Sequence, residues 1–105
     1  MIANTPTTPY YAVIFTSLRT DAENGYADTT KRMVELAEQQ PGFLGVESAR
    51  NEVGITVSYW ESLEAIRNWK NNAEHLMAQQ SGRDIFYKNY KTRIARVERD
   101  YGFEK

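Results

Sequence analysis

The sequence predicts an α+β domain of the split βαβ, ferredoxin-like type: a four-stranded antiparallel sheet with helices on one face. Three observations predict it. Strand-like and helix-like runs follow one another in the order β–α–β–β–α–β. Asn24-Gly25 and Pro41-Gly42 bracket the first helix-like run with turn signals. The second and third strand-like runs are separated only by a short polar link, as in a hairpin.

Each element has its own warrant. Tyr10–Leu18 is dense in Tyr, Val, Ile and Phe and apolar at alternate positions of both parities, which predicts a strand covered on both sides. From Tyr26 to Gln40 the residues Tyr26, Thr30, Met33 and Ala37 share one helical face, with Val34 and Leu36 beside it. Pro41-Gly42 stops that helix. Phe43–Arg50 and Gly54–Trp60 read as strands joined through Asn51–Gly54, with Ile55, Val57 and Tyr59 on one face. Ser62 suits an N-cap, and Leu63, Ile66 and Trp69 form an apolar stripe behind it. Asn71-Asn72 predicts a break, because both side chains compete for backbone hydrogen bonds. A further helix then runs from Ala73 to about Gln80, closed by Gly82, and Tyr90–Tyr101 is the last strand.

With 105 residues the chain has room for one domain, read here as residues 10–105 behind a disordered tail, residues 1–9, of Thr, Pro and Asn. A chain of this length buries about 65% of its extended surface, so a further face against a partner would add stability. A Tyr-, Phe- and Val-rich sheet face left bare by the helices predicts such an interface, in a homodimer. Tyr101 and Phe103 are expected to pack there. The 13 Lys and Arg nearly balance the 14 Asp and Glu, which argues against nucleic acid as a partner. Lys88, Lys91, Arg93, Arg96 and Arg99 read as a solvated strand face. No apolar run is long enough to span a membrane, residues 1–9 lack the pattern of a signal peptide, and the cytoplasm is the expected compartment. Cysteine is absent and His75 is the single histidine, so no cofactor or metal is expected.

One cluster is chemically suggestive: Trp69, His75 and Arg83, with Tyr87 and Tyr90 beyond. Trp69 is either a core residue or the wall of a cavity between helix and sheet. His75 faces water if the helix is continuous, and a pocket if the break resets its phase. Arg83 either caps a helix C-terminus or steadies an anion.

The chain resembles the antibiotic biosynthesis monooxygenase superfamily of dimeric α+β barrels. The resemblance rests on Pro41-Gly42-Phe43, on Trp60-Glu61-Ser62-Leu63-Glu64-Ala65 leading to Trp69, and on Glu74-His75, Gly82-Arg83, Tyr87 and Tyr90. The ending Val97-Glu98-Arg99-Asp100-Tyr101 continues it, so that it spans about Tyr10 to Phe103. It implies oxygenation without metal or flavin: an electron-rich substrate loses a proton and reduces O₂ directly. On that basis His75 is the expected base and Trp69 the catalytic stacking wall, with Arg83, Tyr87, Tyr59 and Phe15 as substrate-binding residues. The implied partners are a second copy of the chain, a small aromatic or hydrophobic ligand, and O₂. Two alternatives stand beside this one: a non-catalytic dimer that binds a small hydrophobic ligand, and a haem-binding or haem-degrading protein. The similar haem-degrading branch carries its ligating His about ten residues after the Trp, where this chain has Gln79. In the anthrone-oxygenase branch an Asn stands where this chain has Ala65.

Overall fold

The computed structural model describes residues 2–23, 25–79 and 85–105. Six elements follow in order: β1 (Tyr10–Arg19), α1 (Tyr26–Glu38), β2 (Phe43–Arg50), β3 (Val53–Trp60), α2 (Leu63–Gln79) and β4 (Tyr87–Val97). All strand pairs are antiparallel and the sheet order is β2-β3-β1-β4, the split βαβ arrangement.

The register separates the two faces. Side chains at paired positions of neighbouring strands lie on the same face. Tyr11, Val13, Phe15 and Ser17 of β1 therefore share a face with Trp60, Ser58, Thr56 and Gly54 of β3. Tyr10, Ala12, Ile14, Thr16 and Leu18 point the other way, with Tyr59, Val57, Ile55 and Val53. Both helices pack on the first face, where Ala37 of α1 and Ala65 and Ile66 of α2 meet Trp60, flanked by Tyr11, Val13, Phe43 and Trp69.

Trp60 centres this core and is completely buried. Its indole N–H donates to Ser58 Oγ at 2.9 Å, so burial leaves no polar atom unsatisfied. Phe43 meets it edge-on with ring centroids 5.4 Å apart, and Trp69 stacks on it at 5.8 Å and 22°. Gly42 lets α2 close on the turn. Its φ is +85°, and a Cβ there would lie 2.7 Å from Ala65 Cβ. The Glu61 amide donates to Gly42 O at 2.9 Å, and Ser62 Oγ accepts from the Ala65 amide at 3.0 Å as the N-cap of α2.

Two expectations are corrected. First, α2 runs unbroken through Asn71-Asn72. Asn72 Nδ2 donates to Asn68 O, one turn back, at 3.0 Å and to Gln40 Oε1 beyond α1 at 3.2 Å. The competing amide is thus used without unwinding the helix. The expected closure by Gly82 lies outside the described residues. Second, β4 begins at Tyr87 and ends at Val97 instead of spanning Tyr90–Tyr101. Val97 pairs with Tyr10, the first residue of β1, so no backbone remains for a longer β4 to pair with. Tyr101 and Phe103 are 93% and 89% exposed in the single chain.

Residues 2–9 form no helix or strand, but they are tied to the sheet. The Ala3 amide donates to Glu47 Oε2 at 2.9 Å, and Tyr59 donates its hydroxyl to Glu47 Oε1 at 2.5 Å. Thr5 donates to the Tyr10 hydroxyl at 2.8 Å, and that hydroxyl donates to Asp100. Both chain ends are therefore held at one end of the face opposite the helices.

Burial depth separates the two tryptophans. Trp60→Ala should cost about 3–5 kcal/mol, and Trp69→Ala, at a half-buried position, should cost less. Urea midpoints at fixed protein concentration test this; equal losses would put Trp69 as deep in the core as Trp60.

Glu47 should make the tail contact acid-sensitive. The Tyr59 hydroxyl first, and the Ala3 amide second, hold its carboxyl below the usual range, while burial and then the Glu47 hydrogen bond push Tyr59 up to about 12. As pH falls, the unfolded chain takes up this proton first. The stabilisation is complete above the unfolded value near 4.5 and is lost as pH drops through the lower folded value. Between about pH 6 and about pH 3 the wild type should lose more of its urea midpoint than Glu47→Gln. Parallel losses would show that this carboxylate contributes no pH-dependent stability.

Candidate functional site

The helix side of the sheet changes character along β1. Around Tyr11 and Val13 it is filled by the Trp60 core. Two residues further, Phe15 begins an aromatic wall. Its ring lies 5.5 Å from Tyr87, edge-on, and 5.2 Å from Tyr90 at a 36° tilt. Tyr87 and Tyr90 are 5.8 Å apart, and Tyr26 at the start of α1 meets both Tyr87 and Phe86 edge-on. A register irregularity between Leu18 and Arg19 brings Tyr87 opposite Arg19. Aromatic edges and faces in this arrangement suit a flat, electron-rich ring.

The Tyr87 hydroxyl is raised well above the ordinary phenol value. Burial is the main cause, and Tyr26 adds to it through charge and a hydrogen bond, while the Arg50 and Arg19 guanidiniums act in the opposite direction. A raised value keeps the phenol protonated at neutral pH, as a hydrogen-bond donor.

Two arginines stand at this end of the wall, and sequence reasoning missed both. Arg50 donates to Ser17 Oγ and, at 3.4 Å, to Ser17 O. Arg19 lies with its guanidinium carbon 3.3 Å from the Tyr26 ring centroid, donates to Ala22 O and approaches Glu23 at 3.6 Å. Simple alternation from Phe43 would send Arg50 to the opposite face. An extra residue in β2 between Phe43, opposite Trp60, and Gly45, opposite Tyr59, inverts that parity. Leu44-Gly45 in the strand was the available signal, since a glycine inside a strand often marks a bulge.

The six expected site residues fall in different places. Phe15 and Tyr87 come together in the wall. Trp69 faces the core and stacks on Trp60. His75 is exposed on α2. Six helical residues amount to a rotation of about 120° from Trp69, so the unbroken helix separates the two. Tyr59 points to the opposite face, where it binds Glu47. Arg83 lies outside the described residues. Two surface hollows, of about 470 and 230 Å³, are lined by other residues: α1 with Gly25 in one case, the N-terminal segment, Glu38 and the start of β2 in the other. Among the described residues no group of three His, Asp or Glu is placed to hold a metal ion, and no helix is long and apolar enough to cross a membrane.

The fold recurs in known proteins. Residues 9–81 match the family model for antibiotic biosynthesis monooxygenase. YqjZ of Bacillus subtilis (strain 168), an uncharacterized protein, is 48% identical over 106 residues, covering 99% of this chain and 93% of its own. SnoaB of Streptomyces nogalater, a cofactor-independent oxygenase, superposes with a TM-score of 0.72 at 12% identity, over 89% of this chain and 97% of that one. Rv0793 of Mycobacterium tuberculosis does so with a TM-score of 0.71 at 13% identity, over 91% and 100%. At such identities the solved structures speak for the fold, while the family model and YqjZ speak for the lineage. The chain belongs to the antibiotic biosynthesis monooxygenase family.

Proposed function

We propose that the chain is a cofactor-independent monooxygenase acting on small aromatic substrates of the quinol or anthrone type, and that it works as a homodimer. Family membership supports the reaction class. The observation that carries the substrate class is the Phe15–Tyr87–Tyr90 wall on the helix side of the sheet.

On this reading a flat substrate lies against the wall with its reactive carbon toward the open rim. Loss of a proton gives an electron-rich anion, whose electrons reduce O₂. For an anthrone, the CH₂ carbon gives up two hydrogens and gains one oxygen, and the other oxygen atom leaves as water. The Tyr87 hydroxyl, exchanging its bond to Tyr26 for one to the substrate, donates its single O–H to the oxygen on which charge develops. Phe15 and Tyr90 fix the ring's orientation, and Trp69 stiffens the floor of the site through Trp60. On this reading the proton passes to solvent, since His75 is exposed in the single chain.

The face opposite the helices suits a second copy. Val53 and Ile55 are each 46% exposed there and Leu18 is 37% exposed, beside half-buried Ile14 and Val57. An obligate pairing through this face should bury more than about 2,000 Å² in total. Sedimentation at micromolar concentration should give a dimer, and a stable monomer would remove this part of the proposal.

O₂ uptake with a panel of quinols and anthrones tests the activity. One O₂ should disappear per substrate, above the spontaneous rate, and Tyr87→Phe should lower kcat by about 10²-fold, as loss of one oxyanion donor does. His75→Gln decides the proton acceptor: a rate within about threefold keeps it with solvent, and a fall of about 10²–10⁴-fold returns it to His75. Ligands that bind without consuming O₂ would make the protein a non-catalytic carrier.

A further inference from the structure

We infer that the molecule bound at the aromatic wall is an aromatic acid, whose carboxylate is seated on the Arg50 guanidinium with Arg19 behind it. The inference rests on the proposed aromatic substrate for its ring, and adds to it a second recognition element. Arg50 is the last residue of an edge strand on a half-open hairpin, where an arginine would ordinarily extend into water. Instead its guanidinium turns in across the sheet and is fixed by Ser17 Oγ and O. The chain makes room for it by having no side chain at Gly54, where a Cβ would lie 2.1 Å from the Arg50 guanidinium carbon. Ser17 itself is only 2% exposed, so the anchor is rigid.

A guanidinium offers five N–H donors in a fixed planar fork. Ser17 occupies part of that fork, and among the described residues no carboxylate pairs with the rest. Its residue remains exposed, so a ligand can reach it. Arg19 adds a second permanent charge. Its side chain is 15% exposed, its counter-ion Glu23 is 79% exposed at 3.6 Å, and its Nε is buried without a hydrogen-bond partner among the described residues. Arg19 is also held by the Ala22 carbonyl and the Tyr26 ring, but its carboxylate partner Glu23 is exposed, so its charge is only partly met and an approaching anion would add to the compensation. The register brings both arginines to the wall: Ser17, which anchors Arg50, pairs with Tyr90, and Arg19 pairs with Tyr87 and lies over the Tyr26 ring. A planar carboxylate on a flat ring fits the pair: the ring meets Phe15 and Tyr87 while the carboxylate meets the fork.

Binding of a hydroxynaphthoate and of the matching naphthol, which lacks the carboxylate, followed by tryptophan fluorescence, tests the seat. The wild type should bind the naphthoate at least about tenfold more tightly at low salt, and the preference should shrink at about 0.5 M salt. Arg50→Gln should weaken the naphthoate about 10- to 100-fold more than the naphthol, with Arg50→Lys between the two. Equal binding of both probes by the wild type, or a preference that survives Arg50→Gln, overturns the seat, and O₂ uptake with neutral quinols would then leave the oxygenase reading standing without it. Failure of both probes to bind, together with no O₂ uptake, overturns the aromatic-substrate reading and the seat with it. The wild-type comparison needs no variant to fold.

Discussion

Everything in this chain hangs on the burial of Trp60. It is the last residue of β3, immediately before the turn into α2, and it is held from three directions: Phe43 from β2, Trp69 from α2, and Ser58 on its own N–H. Burying an aromatic side chain of this size supplies a large share of the apolar stabilisation available to a domain of about a hundred residues. The neighbours that close on it are small. Ala37 and Ala65 let the helices approach, and Gly42 lets the turn before β2 touch α2. With both helices committed to this cluster, the sheet has one covered face and one bare face. Further along β1 the covered face carries the aromatic wall, against which Tyr26 at the start of α1 packs.

The two ends of the covered face obey different rules. Near Trp60 the side-chain contacts are apolar, and the indole N–H is met by Ser58 two residues away. Near Phe15 the wall is built from tyrosines, whose rings pack while their hydroxyls need partners, and two guanidiniums stand among them. The raised Tyr87 hydroxyl shows the competition directly: burial and Tyr26 hold the proton on, while Arg50 and Arg19 pull toward its loss. A core optimised for stability alone would place aliphatic residues here, because a buried cation is rarely worth its desolvation. Departures of this kind concentrate where a fold meets a ligand.

Much of the fold was legible because strand and helix periods differ so clearly. The dense β-favouring run of β1, the alternation in β3, the cap at Ser62 and the Pro41-Gly42 stop lie in nearest-neighbour chemistry, and the element order follows from them. What was not legible depended on partners distant in sequence. Asn72 looks like a helix breaker until Gln40, thirty-two positions earlier, accepts one of its hydrogens. The end of β4 depends on where β1 begins, not on any residue after Val97. In the candidate site, Phe15 and Tyr87 come together in space, although Tyr87 was expected ahead of the last strand, while proximity along the chain suggested that Trp69 and His75 act together. One unbroken helix separates them by a third of a turn.

Arg50 shows how a single inserted residue can decide the face on which a charged side chain stands. With strict alternation from Phe43, residues 43, 45, 47 and 49 share a face and Arg50 lies opposite them. The bulge at Leu44-Gly45 moves Val46, Ser48 and Arg50 to the helix side with Phe43, and sends Glu47 to the opposite face, where it receives the Tyr59 hydroxyl and the Ala3 amide. One irregularity thus sorts two charges at once: the carboxylate to the face where the chain ends are anchored, the guanidinium to the face that carries the aromatic wall. Without the bulge, Glu47 would lie on the same face as Phe15 and Tyr87, and Arg50 would stand among the exposed apolar residues Val53 and Ile55. The aromatic wall would then carry a carboxylate, and the exposed apolar patch of the opposite face a cation. The same extra residue avoids both, which places the bulge among the features that set the polarity of the two faces.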